Sequence, residues 1–222
     1  MKLLENKTVV VTGAMGALGR EVCSVAESQG ARVIRLDIAG DSGVADSHAL
    51  DLTDLKATQQ CIAQIGPFDA LVNLAGGFAM GQESWESSDE EWELMFKLNV
   101  ATMRNAIKAT VPQMLEQQGG SIVNVGAYGA REGQGLMGAY CASKSVVMRL
   151  TETLAEELKE KNINVNAVLP TIIDTPANRG AMPDADPATW VAPADLANVI
   201  CFLLAPAARA VHGALVPVRG LS

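Results

Sequence analysis

Short runs of Val, Ile and Leu alternate with helix-patterned stretches along the whole chain, and this alternation narrows the fold more than any other feature of the sequence. Lys7–Thr12, Arg32–Leu36, Asp69–Asn73, Gly120–Gly126, Ile163–Leu169 and Ala214–Val218 read as strands, and Ala49–Asp51 is placed at the end of a further short one. Between them Gly16–Gln29, Asp54–Ile65, Ser88–Gln118, Ala139–Lys161 and Asp195–Leu204 carry helical spacing, with Ser88–Gln118 one long helix or two abutting ones. Gly30 closes the first helix, Thr53 is expected to cap the second and Gly66-Pro67 to stop it, and the acidic run Asp89-Glu90-Glu91 suits the start of the third. Near-continuous apolar strands are buried on both faces. The pattern therefore predicts an α/β fold, a doubly wound and mainly parallel sheet of seven strands with helices on both sides. Residues 39–43 read as a polar turn. The Pro- and Ala-rich segment 175–193 reads as the longest loop, of the kind that covers an active site.

A chain of 222 residues suits one domain, taken as 1–222. With 49% hydrophobic and 19% charged residues it is not a disordered chain, and no apolar stretch reaches the ~18 residues a membrane helix needs. A net charge of −8 argues against nucleic acid or an anionic membrane as partner and leaves a small molecule. The N-terminus lacks the apolar core of a signal peptide, so a cytoplasmic location is expected. Cys23, Cys61, Cys141 and Cys201 are scattered, with no CxxC pair, and read as reduced thiols. The two histidines, His48 and His212, sit among no other ligand-type residues at metal spacing, and no metal site is expected.

The first strand runs into Thr12-Gly13-Ala14-Met15-Gly16-Ala17-Leu18-Gly19, followed by a helix. Glycines at such a turn let the backbone approach a pyrophosphate and leave helix N–H groups aimed at it. The next strand ends in Asp37, about two dozen residues after Gly13, the spacing of an acid that accepts ribose hydroxyls. Together these features predict dinucleotide binding. A carboxylate at Asp37 repels a 2′-phosphate and favours NAD(H). Arg35 points to the other side of its strand, while Arg20 offsets the repulsion enough that NADP(H) is not excluded.

A second constellation is Tyr140-Cys141-Ala142-Ser143-Lys144, which puts Tyr and Lys on one helical face. An ordinary Tyr, with a pKa of ~10, is a poor acid–base group at neutral pH. An ammonium ~5 Å away at an effective dielectric of ~20 supplies ~3 kcal/mol, about two pKa units, so the spacing predicts a lowered Tyr140.

These motifs, in this order, resemble the short-chain dehydrogenase/reductase family over essentially the full length. The elements are the Thr12–Gly19 loop, Asp37, Asp51-Leu52, Asn73-Leu74-Ala75-Gly76, Asn99, the Ile122–Val125 strand, Tyr140-xxx-Lys144 and Pro170 to Thr175. The resemblance implies a Rossmann-type fold and hydride transfer with a nicotinamide cofactor. It implies Tyr140 as acid/base, Lys144 as the group that binds the nicotinamide ribose and tunes Tyr140, and Asn99 as the holder of a helix kink and of a water leading to Lys144. Gly13, Gly16, Ala17, Leu18 and Gly19 would hold the pyrophosphate, and Asp37 the ribose. Asp51 and Leu52 would flank the adenine, with Asn73, Ala75 and Gly76 along the adenosine side. Pro170 would open the segment in which the Ile173 backbone binds the carboxamide and Thr175 lies near the nicotinamide or phosphates. Homodimers or homotetramers are the family's usual assembly, built on the long helices near 99–118 and 139–161.

The chain departs from the family pattern in three places. Its glycines fall at 13, 16 and 19, the usual Pro-Gly is Pro170-Thr171, and the family's catalytic Ser, thirteen residues before the Tyr, is Ala127. One lost oxyanion donor costs ~10²–10³ in rate. Dihydropteridine reductase, an NADH-using branch, shares this absence. It also resembles this chain at Gly16–Gly19, Ala75-Gly76-Gly77, Gly126-Ala127 and from Val168 to Trp190. A quinonoid imine accepts hydride readily and manages without that hydroxyl. The predicted function is thus NAD(H)-dependent reduction of a small conjugated acceptor, possible walls for which are Phe78, Tyr128, Met137, Met182 and Trp190. The alternatives are an ordinary ketone or alcohol oxidoreductase in which another hydroxyl such as Tyr128 replaces the Ser, and a non-catalytic dinucleotide-binding regulator.

Overall fold

The computed structural model describes residues 2–41 and 43–221. Met1, Ser222 and Ser42, the last inside the expected polar turn, lie outside the described residues. Seven strands form one sheet: β1 (Thr8–Thr12), β2 (Arg32–Asp37), β3 (Ser47–Ala49), β4 (Ala70–Asn73), β5 (Gly120–Val125), β6 (Ile163–Pro170) and β7 (Leu215–Val218). Their order is β3-β2-β1-β4-β5-β6-β7, and every neighbouring pair is parallel. The chain winds outward from β1 to β3, returns past β1, and winds the other way from β4 to β7. The loops leaving β1 and β4 therefore diverge, opening a crevice at the carboxyl ends of the strands.

Alternation explains why both faces are covered. Val9 and Val11 of β1 pack on one side with Val33, Val72, Val123 and Val168 against α1 (Ala17–Ser28) and α7 (Pro193–Leu204). Val10 points the other way, into a second core with Ile34, Leu36, Leu71, Ile122 and Val165. That core is covered by α2 (Leu55–Ile65), by α4 (Thr102–Glu116), which α3 (Asp89–Phe96) precedes, and by α5 (Gly138–Leu158). The fully buried members of both sets leave water entirely, each contributing ~1.5–3 kcal/mol.

Three local expectations are corrected. The cap of α2 is Asp54, whose carboxylate accepts from the Ala57 N–H, while Thr53, one residue earlier, is bonded to the Asp51 carboxylate through its hydroxyl as well as its N–H. Strand β3 ends at Ala49 rather than Asp51, since its partner β2 ends at Asp37, opposite Ala49. The stretch 175–193 is not a bare loop. Thr175 accepts from the Asn178 N–H and starts a short helix, α6 (Pro176–Ala181), and a 3₁₀ turn covers Pro187–Thr189. Ser88–Gln118 proves to be two α-helices joined without a break by a π-helical turn at Lys97–Ala101.

Candidate active site

The glycine loop is built so that no side chain can replace two of its glycines. Gly13 has φ of +65°, and a Cβ there would lie 2.9 Å from the Ala75 backbone nitrogen, on the loop leaving β4. A Cβ on Gly19 would stand 2.1 Å from the Gly13 carbonyl oxygen. Gly16 meets no such wall. It caps α1 at an exposed position, beside exposed Ala17 and half-buried Leu18. Thr12 locks the two loops together, its hydroxyl accepting from the Leu74 and Ala75 N–H groups at 3.1 and 3.2 Å. Asp37 lies against the same loop, accepting from the Met15 and Ala39 N–H groups. Each of its oxygens keeps a lone pair for a further donor. Arg35 does not point to the other side of its strand: Val33, Arg35 and Asp37 share the face of β2 that α1 covers, where Arg35 is held by Glu27 of that helix, and Arg20 donates to the Met15 carbonyl. An exposed cradle without side chains, with a carboxylate at its rim, fits a dinucleotide.

Other expected cofactor contacts spread around this crevice. Asp51 is exposed beside it, and the Thr53 hydrogen bond holds its carboxyl below the usual carboxylate range. Leu52 is buried, its carbonyl accepting from Asn105. The Asn73 side chain turns inward: its Nδ2 donates to Asn124, which donates to Thr151, tying β4, β5 and α5 together, while its buried Oδ1 has no hydrogen-bond partner among the described residues. Pro170 is buried at the end of β6, opposite Val218. Ile173 bridges to Val191, its carbonyl accepting from Asn178.

Tyr140, Lys144 and Asn99 converge at the end of β4. A Cβ on Gly76 would be 2.6 Å from the Asn99 Oδ1 and 3.4 Å from the Lys144 Nζ, so both groups reach this one exposed glycine. The π-turn presents Asn99, whose Oδ1 accepts from the Gly77 N–H while its Nδ2 donates to the Gly77 carbonyl and the Ser143 hydroxyl. Ser143 in turn donates to the Tyr140 carbonyl at 2.8 Å. Ser143 and Gly77 lie inside the motifs named above but carry no site role there; the structure makes them the partners that hold Asn99. The available signal was a polar residue one position before Lys144 on a helix whose inner face is apolar.

The expected lowering of Tyr140 does not occur. Lys144 is buried and donates to the Val125 carbonyl at 2.8 Å, and burial pushes its ammonium down to about 8. Burial pushes the Tyr140 phenol up to about 12, with Cys141 adding to the rise. The phenol ring stands edge-on to Phe78, centroids 4.8 Å apart, and Phe78 is 56% exposed. Ala127 is buried and packs in one apolar cluster with Cys141, Met148 and Leu169, against which Tyr128, Met137 and Tyr140 rest. Tyr128 is committed elsewhere: the Arg219 and Arg131 guanidinium groups lie 4.6 and 5.1 Å from its ring centroid. Trp190 is 6% exposed and serves as packing, while Met182 is half-buried at the end of α6.

A doubly wound parallel sheet, a glycine cradle at its switch point and a Tyr–Lys–Asn group at the same edge define a dinucleotide-type oxidoreductase. Residues 7–186 match the short chain dehydrogenase family, and the chain belongs to the short-chain dehydrogenase/reductase family. It is 30% identical to a 3-oxoacyl-[acyl-carrier-protein] reductase of Thermotoga maritima over 98% of each chain. Carveol dehydrogenase from Mycobacterium avium, solved in complex with NAD, superposes with a TM-score of 0.87 at 26% identity, over 99% of this chain and 98% of that one. A Beutenbergia cavernae protein assigned as an NAD(P)-dependent gluconate 5-dehydrogenase, solved with NADP at low occupancy, gives 0.87 at 28% identity, over 98% and 96%. The chain is thus an oxidoreductase of this family, whose members hold NAD or NADP.

Proposed function

We propose that this enzyme is an NAD(H)-dependent reductase of a small conjugated carbonyl or imine, with Tyr140 as proton donor. The carrying observation is Ala127, an apolar residue packed with Tyr140 at the position where a polarising hydroxyl would serve a simple ketone. An acceptor that is already electron-poor, of the quinonoid dihydropteridine type, needs that hydroxyl least. The exposed Phe78 ring beside Tyr140 offers a flat acceptor an aromatic wall.

The nicotinamide, when bound, supplies the hydride. The chain's own residues do the rest. Gly13, Gly16, Ala17, Leu18 and Gly19 would cradle the pyrophosphate, and Asp37 would accept from the ribose and repel a 2′-phosphate. Asp51, Leu52, Ala75 and Gly76 would border the adenosine, with Pro170, Ile173 and Thr175 at the nicotinamide end. Tyr140 is protonated at neutral pH; a pKa pushed up to about 12 makes it a weak acid, one that would give its proton only to the strongly basic oxygen or nitrogen anion that hydride addition creates. Lys144 and Asn99 hold the ribose side and the geometry of Tyr140. The same reading places the enzyme in the cytoplasm as a homodimer or homotetramer.

A second reading, an ordinary ketone or alcohol oxidoreductase, is favoured by the names its relatives carry. NADH oxidation over quinonoid dihydropterin, quinone and simple ketones separates the two. Turnover of the first two far above ketones is expected, and a ketone preference selects the second reading.

A further inference from the structure

One residue just ahead of the catalytic group holds a backbone shape that its side chain disfavours. Leu136, which lies in the turn before α5 and Tyr140, has φ of +63°. Among the described residues the other left-handed positions that are not glycine are Asn6, Asp46, Gln118 and Asn162, and all of them carry polar side chains. Asn and Asp tolerate this region because a short polar side chain can bond to its own backbone. Leu136 is the apolar exception. A branched apolar side chain gains nothing locally from such a geometry, so the surrounding structure must impose it.

The imposing contacts come from the loop that leaves β4. The Gly81 N–H donates to the Leu136 carbonyl at 2.9 Å. A Cβ on Gly138 would run into the Ser84 hydroxyl, so the two segments touch again where α5 begins. Leu136 and Met137 then part. Met137 rests on the cluster that holds Ala127 and receives Tyr140, and its carbonyl accepts from the Cys141 N–H. Leu136 is left exposed, as are Phe78 and Met80 on the facing loop, and Phe78 is the ring that stands edge-on to Tyr140. Exposed apolar side chains gathered beside a reacting group mark a surface that a ligand covers. Its chemistry follows from the charges. Residues 74–82 and 133–143, the two segments that flank Tyr140, contain no Asp, Glu, Lys or Arg, although 19% of the chain is charged. A charged substituent on the acceptor meets no counter-charge there, whereas an alkyl or aryl group meets apolar side chains.

We propose that Leu136 is a specificity-determining residue, held out by the Gly81 bond so that, with Phe78 and Met80, it receives an uncharged apolar substituent of the acceptor. Covering these side chains removes apolar surface from water on both partners, and the gain grows with each methylene of the substituent. The contact is the same before and during hydride transfer, so it lowers KM and leaves kcat nearly unchanged. The proposal rests on the reductase reading given above and adds the class of substituent that its acceptor carries.

The test uses the NADH-saturated enzyme with 1,4-naphthoquinones that carry methyl, ethyl, propyl or butyl at C2, and with the 2-carboxyethyl compound as a charged match for butyl. Binding is followed by fluorescence quenching and turnover by NADH oxidation. In the wild type kcat/KM is expected to rise about two- to threefold per methylene, through KM, and to be about tenfold lower for carboxyethyl than for butyl. Leu136→Asn, which suits the left-handed backbone, should flatten the series and melt no lower than the wild type. Leu136→Met should keep most of the slope. A flat wild-type series, a slope that survives Leu136→Asn, a Met variant as flat as the Asn variant, or an Asn variant that melts several degrees lower overturns the proposal, the last because Leu136 would then serve packing. Quinones that bind more tightly along the series but take no hydride overturn the reductase reading and leave the apolar subsite standing. Failure of the whole series to bind overturns both.

Discussion

The two halves of the sheet edge are built on different principles. On the side of β1, β2 and β4 the site is backbone: glycines that tolerate no Cβ, Thr12 bonded to two amides of the next loop, and Asp37 bonded to two more. On the side of β5, β6 and β7 it is side chains at partly open positions: Phe78 reaching in from the β4 loop, Tyr128 with its two arginines, and Met182 on α6. A backbone cradle serves any molecule with the same phosphates. A side-chain wall serves one chemistry and can be exchanged residue by residue. Tyr140, Lys144 and Asn99 sit on the seam, tied to the first half through Gly76 and Gly77 and to the second through Ala127 and Phe78.

The seam should break most severely at Tyr140. Tyr140→Phe keeps the ring against Phe78 and removes only the proton, so steady-state carbonyl reduction should fall by ~10²–10⁴ while NADH affinity, measured by titration, stays within a few-fold. Parallel losses in both would mean that Tyr140 acts through cofactor binding instead. The next effect in size belongs to the substrate half. Ala127→Ser adds a hydroxyl at an extended position already heading a 3₁₀ turn and should raise simple ketone kcat/KM by up to ~10², with little gain on a quinonoid acceptor. A wild type that already reduces ketones rapidly, with no gain from Ser, would remove the argument from the missing hydroxyl.

The same division explains what could be read without coordinates. The strands, the sheet and the glycine loop were legible because their constraints are local: β-branched runs buried on both faces, and a turn too tight for a Cβ. Asn73 was not, because its inward amide depends on pairing opposite Asn124, a register that no local pattern announces. The α2 cap was misplaced by one residue because two adjacent positions could each cap, and the choice fell to the Asp51–Thr53 bond. The Tyr140–Lys144 electrostatics went wrong for a physical reason. Spacing gives neither the depth of burial nor the actual separation of the two groups, and here burial raises the phenol and lowers the ammonium with neither shift carrying a contribution from the other group. The meeting of Arg131 and Arg219 joins two turns that follow different strands, which is beyond local pattern altogether.

A smaller effect sharpens the cofactor half. Asp37→Ala removes the carboxylate that, on the proposed reading, would repel a 2′-phosphate and accept ribose hydroxyls, yet leaves Arg20 in place. The wild type should bind NADH more tightly than NADPH by about tenfold or more, and the variant should narrow that gap, because one like-charge interaction at a partly exposed site is worth on the order of 1–2 kcal/mol. Equal affinities in the wild type, from paired titrations, would take Asp37 out of the cofactor site.

The smallest effect is on stability and isolates the seam. Lys144 is a buried ammonium whose pKa has fallen from 10.5 to about 8. Below about 8 it is charged in both folded and unfolded chains, and the full burial penalty is present. Between about 8 and 10.5 the folded protein sheds the proton while the unfolded chain keeps it, so the unfolded state binds more protons and stability rises with pH. Tyr140 works in the opposite direction, but only above its ordinary value of 10, where the unfolded phenol ionises first. From about pH 9 the Cys23, Cys61 and Cys201 thiols, raised by burial above their ordinary 9.0, also work against Lys144, so its contribution is read as the difference between wild type and a Lys144 variant, in which the thiols and Tyr140 cancel. Lys144→Met should abolish activity yet raise the melting temperature at pH 7 by a few degrees. Loss of the buried charge is worth ~1–3 kcal/mol, reduced by the Val125 carbonyl left without its donor. The advantage of the Met variant should shrink steadily between pH 8 and 10 in thermal melts. A Met variant that is less stable at pH 7, or an advantage that does not change across that window, would mean that the burial cost of Lys144 is already offset inside the fold.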